Sequence, residues 1–175
     1  MNTTKEIKSV LTDSQLSNFF AHQLQCLYLS ETKLLEAIAE IQQAASTGEV
    51  KALIGQYREK LKTQVTLLEE IFRVLMINPG SVYGDTMDCL IKEIGQIIIN
   101  TSRKSITRNA ALIVALQKAG HYKIACYGSL AQLATTLGME DIANILHQSL
   151  QSEKDSDYEF SDFAEKRLNW LAETE

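Results

Sequence analysis

The sequence predicts an all-α domain built from four long amphipathic helices, with one long, helix-bearing connection between the second and the third. Three observations lead there. Apolar residues recur at three- and four-residue steps through four extended segments, the single proline (Pro79) and several glycines fall between those segments, and no stretch alternates polar and apolar residues as a strand would. The 175 residues, 45% of them hydrophobic, suffice for one core, so the whole span 1–175 is expected to form a single domain.

The first helix starts near Thr12-Asp13-Ser14, whose side-chain oxygens suit an N-cap, and carries Leu16, Phe20, Leu24, Leu27, Leu34, Ile38 and Ile41 on one stripe before Gly48. Ser46-Thr47-Gly48-Glu49 has the Ser-x-x-Glu pattern of a capping box and opens a second helix with the stripe Leu53, Tyr57, Leu61, Leu68, Phe72 and Leu75. Asn78-Pro79-Gly80 is expected to end it. A shorter helix at about Asp85 to Asn100 presents Met87, Leu90, Ile91, Ile94 and Ile98 and lies in the connection. The third long helix carries Ile106, Ile113, Leu116, Ile124, Tyr127, Leu130 and Leu137 and breaks at Gly138. The fourth carries Ile142, Leu146, Leu150, Phe160, Phe163 and Leu168. Two helical hairpins joined by a long crossover match the plan of ferritin-like four-helix bundles, whereas an up-down-up-down bundle needs a short second connection.

Composition narrows the function classes. Net charge is −5 and the basic residues are scattered, so neither nucleic acid nor an anionic membrane is an expected partner. No apolar run approaches the roughly 20 residues of a membrane span and the N-terminus lacks a signal-like segment, which points to the cytoplasm. The glycosylation-like Asn2-Thr3-Thr4 is then a chance match. Cys26, Cys89 and Cys126 are odd in number and widely spaced, against both a disulfide framework and a zinc ribbon. Cys126 lies three residues from Lys123, a cation that would lower a thiol pKa, but no catalytic pattern accompanies it.

Each apolar stripe is interrupted near its middle. Glu31 lies between Leu27 and Leu34; Lys60 and Gln64 between Tyr57 and Leu68; Gly120 and Lys123 between Leu116 and Tyr127; Glu153, with Asp157 one turn on, between Leu146 and Phe160. Packing of similar-length helices brings these midpoints to one level and predicts a buried polar layer. Ferritin-like bundles place a di-iron centre at that level, using Glu-x-x-His motifs, and this chain has none. Two ammonium groups would repel a metal pair, while three carboxylates could hold two lysines, so a central ion-pair layer of Glu31, Lys60, Lys123, Glu153 and Asp157 is the favoured expectation. Gly120 costs about 1 kcal/mol against alanine and is read as room for Lys123 or for an aromatic such as Tyr28. Tyr28, Tyr57, Tyr122 and Tyr127 are read as core with bonded hydroxyls.

The stretch Gln117-Lys118-x-x-His121-Tyr122-x-Ile124-Ala125-x-Tyr127-Gly128-Ser129-Leu130 resembles the YciF-like family of ferritin-like bacterial proteins associated with stress. Tyr28-x-x-Glu31-x-x-Leu34, Gln64-Val65-x-x-Leu68-Glu69-x-x-Phe72, Cys89-Leu90-Ile91-x-Glu93 and Leu150-x-x-Glu153-Lys154-x-x-Asp157 extend the resemblance from about residue 16 to 163. Family members carry glutamates, taken as metal ligands, where this chain has Gly120 and Lys123, and another near the position aligned with Lys60. The resemblance thus implies the scaffold and part of a site. The expectation is a non-catalytic bundle with a degenerate di-metal site and no cofactor, acting as a homodimer or through an unidentified protein partner. The alternative is an iron or manganese protein for oxygen or peroxide chemistry or metal storage, with Glu31, His121, Glu153 and Asp157 as ligands.

Overall fold

A computed structural model describes residues 11, 14–80 and 82–175; Asn2, Thr3, Thr4, Thr12 and Asp13 lie outside them. Among the described residues the secondary structure is entirely helical: α1 (Gln15–Ala44), α2 (Gly48–Leu75), α3 (Thr86–Asn100), α4 (Ile106–Thr136), α5 (Glu140–Phe163) and, after a π turn at Ala164–Leu168, a short α6 (Asn169–Glu173).

Local chemistry sets the ends. The Ser14 hydroxyl accepts from Ser17 N at the start of α1, and the Ser105 hydroxyl accepts from Arg108 N at the start of α4. The N-cap of α2 is Thr47 rather than Ser46, so the expected Ser46-x-x-Glu49 box does not form. Ser46 instead donates from its hydroxyl to Ser105 O (2.9 Å) and from its amide to Asn109 Oδ1 (2.7 Å), tying the α1–α2 turn to the start of α4.

Helix α2 ends at Leu75, ahead of the Asn78-Pro79-Gly80 signal. Met76 takes left-handed φ 55° and ψ 35°, with Met76 N donating to Arg73 O and Ile77 N to Phe72 O. This is a Schellman cap, and α4 ends in the same way, with Gly138 at φ +74°. The fourth apolar stripe is also interrupted: the π turn separates Phe163 from Leu168, so one α-helical period does not run through both.

Side-chain contacts give the packing directions. Tyr28 reaches Glu69 and Gln42 reaches Lys51 across α1 and α2; Glu31 meets Tyr127, and Ser30 meets Tyr122, across α1 and α4. Gln64 bonds Ser149, and Tyr57 bonds Glu153, across α2 and α5; Gln117 bonds Ser161 across α4 and α5. Between α1 and α2, between α2 and α5, and between α4 and α5, where Lys123 also bonds Glu153, one residue number rises as the other falls. Leu34 and Ile38 of α1 share a core with Leu112 and Leu116 of α4, and Phe20 and Leu24 with Leu130 and Ala134, so every adjacent pair of long helices is antiparallel. Connecting α2 to α4 therefore requires a crossover along the bundle, and α3 lies in it, packed on α1 and α4. This is the one-crossover bundle expected from the long connection.

The core has two compartments. Leu34, Ile38, Ile54, Leu61, Leu112, Leu116 and Phe160 belong to one; Phe20, Leu24, Leu27, Leu68, Phe72, Leu130 and Leu146 belong to the other. The boundary falls where all four apolar stripes are interrupted.

A methionine in the left-handed region costs more than glycine there, and Met76 is 57% exposed with little packing to lose. Met76→Gly is expected to raise stability by about 0.5–1 kcal/mol in urea unfolding, whereas Gly138→Ala, at the equivalent cap of α4, should lower it by about 1 kcal/mol.

Candidate functional site

The boundary is a closed polar layer around Lys123. Its side chain has no solvent exposure, and neither do those of Glu31 and Glu153. The ammonium lies 2.8 Å from Glu153 Oε1 and 3.0 Å from Glu31 Oε2, and it donates to Gln64 Oε1 (3.1 Å) and to the Tyr57 hydroxyl (3.4 Å). Glu153 also accepts from Gln64 Nε2 (2.8 Å) on Oε1 and from the Tyr57 hydroxyl (3.1 Å) on Oε2. Glu31 Oε1 accepts from the Tyr127 hydroxyl at 2.7 Å. Its Oε2 faces the ammonium by charge alone, without hydrogen-bond geometry. The ammonium is also 5.2 Å from the Tyr57 ring centroid, within cation–π range.

Desolvation alone would lower the Lys123 pKa, but the carboxylates of Glu153 and Glu31 outweigh it, and the ammonium is held charged well above its usual range. Burial pushes Glu31 up to about 7; Lys123 opposes that and the neighbouring Glu153 carboxylate adds to it. Burial, with Lys123 opposing, also holds Tyr57 well above its usual range, and burial next to Glu31 does the same for Tyr127. Both tyrosines therefore serve as donors. At neutral pH the layer holds one firm cation at Lys123 and a Glu31 that is partly protonated.

The expected layer contained two residues that lie outside it. Lys60 is partly exposed and pairs with Glu159 (2.9 Å) and Ser156 Oγ (3.1 Å) on α5. Asp157 accepts from Gln117 (3.1 Å) and lies 3.3 Å from His121 Nε2, whose side chain is 66% exposed. The reason is angular: Asp157 is one turn beyond Glu153 but rotated toward the α4 edge, and His121 points outward on the same edge. The alternative ligand set of Glu31, His121, Glu153 and Asp157 is thus not brought together, and among the described residues no three His, Cys, Asp or Glu side chains converge.

Gly120 faces the layer, but neither expected explanation for it holds. A Cβ there would sit 3.6 Å from Glu153 Oε2, an ordinary contact, while Tyr28 is elsewhere, bonded to Glu69 and edge-on to Phe72. A glutamate at position 120 would bring another carboxylate onto Glu153. Cys126 also departs from expectation: burial raises its thiol pKa, and Lys123 lowers it too weakly to reverse that. Tyr57 and Tyr127 are core residues with bonded hydroxyls, as expected, and those hydroxyls complete the layer; their positions one helical turn from the polar interruptions are the signal that joins them to it.

A one-crossover helical bundle with a lysine-centred ion layer at its midpoint is the class that fold and site define. The chain belongs to the DUF892 family, described as a domain of unknown function, whose model matches residues 15–173. It is 31% identical over 163 residues to the Escherichia coli K12 protein YciF, covering 90% of this chain and 95% of that one. The crystal structure of the E. coli stress protein YciF matches with a TM-score of 0.83 at 30% identity, covering 89% of this chain and 98% of that one. YcfI of Rhodopseudomonas palustris gives 0.79 at 25% identity, covering 85% and 94%. A Xanthomonas campestris protein gives 0.71 at 18% identity over 92% and 98%, a likeness of fold.

Removing one partner of a buried ion pair strands the others. Lys123→Met is expected to cost about 3–5 kcal/mol in denaturant unfolding, and adding Glu153→Gln to that variant should recover part of the loss. The pH dependence has a definite sign. Glu31 is raised from 4.5 in the unfolded chain to about 7 when folded, so the folded state binds more protons between those values and stability falls as pH rises through that window. Relative to Glu31→Gln, whose residue 31 cannot ionise, the parent protein should lose about 2–3 kcal/mol between those two pH values.

Proposed function

We propose that this chain is a non-catalytic, cytoplasmic structural bundle in which Lys123 supplies the charge that a metal would otherwise bring. It acts by self-association, as a homodimer, or by docking a protein partner, in a stress-related setting. The observation that carries this reading is the buried ammonium at 2.8 and 3.0 Å from the two central carboxylates. Iron or manganese, which the resemblance implies, does not fit these residues. Both inward carboxylates are engaged by Lys123, while the other two expected ligands face the outer edge.

The stress setting is supported by the similarity to the E. coli protein called a stress protein. Association is supported by an apolar groove of about 350 Å³ between α1 and α4, lined by Phe19, Gln23, Tyr122, Cys126, Leu130 and Leu133. Phe19 there is 52% exposed. Apolar surface of this kind, beside the stretch that α3 covers, offers a seat for another chain.

The test is metal analysis together with sedimentation of protein purified without chelator after iron or manganese supplementation. Expected are far less than one metal per chain and the same oligomer with or without chelator. Near-stoichiometric metal that disappears in Glu31→Ala would overturn the reading. The double variant Gly120→Glu, Lys123→Glu should gain metal affinity; if it folds and binds nothing, the layer is not a converted metal site.

A further inference from the structure

At the end of the bundle where the α1–α2 turn meets the α3–α4 turn lies a cleft of about 410 Å³, lined among others by Glu40, Gln43, Ser46, Lys51, Arg103 and Arg108. Arg108 is the unusual member, because the residue is only 4% exposed. Its Nε donates to Thr101 Oγ1 (2.9 Å), and its Nη2 donates to Ile98 O (2.7 Å) and Thr101 O. These acceptors are neutral, and among the described residues Nη1 makes no hydrogen bond. Among the described residues no carboxylate pairs with Arg108, Arg103 or Lys51.

A buried charge ordinarily has a counter-ion. The carbonyl end of α3 offsets part of the Arg108 charge and fixes the plane of its fork. The remainder is directed at a cleft that holds two further unpaired cations and one carboxylate, Glu40. This local excess stands out in a chain of net charge −5.

We infer that this cleft binds a small phosphate-bearing anion. A single carboxylate would neutralise one of the three cations, whereas a phosphate carries more charge and offers several oxygens to a planar guanidinium fork. Arg108 is the pre-oriented donor, Arg103 and Lys51 close over the ligand from the exposed rim, and Ser46 and Gln43 supply polar lining. Glu40 biases the cleft toward ligands with enough negative charge to engage all three cations.

The test is calorimetric titration of the full chain with inorganic phosphate, pyrophosphate and malonate at matched ionic strength. Saturable binding is expected for the two phosphates, tighter for pyrophosphate, and weaker or absent for malonate. Among the described residues the Arg103 side chain makes no hydrogen bond or ion pair, so Arg103→Ala should keep the far-ultraviolet spectrum of the parent while weakening pyrophosphate binding roughly tenfold, equivalent to about 1.4 kcal/mol. Arg73→Ala, at the other end of α2, should leave binding unchanged. Absence of saturable phosphate binding, malonate binding as tight as pyrophosphate, or an equal loss in Arg73→Ala would each overturn the inference.

Discussion

The Lys123 ammonium, seated between Glu31 and Glu153, is the constraint from which the rest of the bundle follows. It draws a partner from each long helix: Glu31 from α1, Tyr57 and Gln64 from α2, and Glu153 from α5, with Tyr127 of α4 completing the ring through Glu31. Among the described residues the compartments above and below hold no further buried carboxylate. Sliding any one helix by a turn, about 5.4 Å, would place a charge against leucine and isoleucine. Hydrophobic burial supplies most of the driving force for collapse, but it is tolerant of register. The polar layer is not, and so it sets the alignment of the four helices.

Most of the fold was legible because its signals are local and repeated. Helical periodicity, the Ser14 cap, the break at Gly138 and the short helix of the crossover all appear where the residues place them. The errors lie where tertiary contacts decide. Ser46 leaves its expected cap because Ser105 and Asn109 of a distant segment offer better partners. Met76 accepts a conformation suited to glycine because the Schellman bonds end α2 three residues before Pro79. At the site, Glu31, Lys123 and Glu153 could be placed by their spacing, since each sits squarely on its stripe. Lys60 and Asp157 could not, because a position at the edge of a stripe can turn either way, and a partner on the neighbouring helix, Glu159 or Gln117, decides it. Arg108 gave no signal, as the carbonyls that hold it belong to a turn and not to a periodic element.

The comparison with a metal centre is one of charge as much as of ligands. A di-metal site needs several carboxylates because the ions carry large charge, and the same number of carboxylates without ions would repel one another. Replacing that charge with one ammonium leaves room for only two carboxylates, one of which is held near its midpoint at neutral pH. Gly120 is consistent with this balance, since an acidic side chain there would add a third.

The antiparallel arrangement of every adjacent helix pair has an electrostatic consequence for that interior. Each end of the bundle presents two helix N-termini and two C-termini, so the macrodipoles oppose one another, and the layer sits roughly 15–25 Å from the termini of helices roughly 36–46 Å long. Backbone fields therefore largely cancel at the midpoint. The centre of the molecule behaves as an insulated chamber whose potential is fixed by three side chains, and gain or loss of a single proton changes its total charge by one unit with nothing nearby to dilute it.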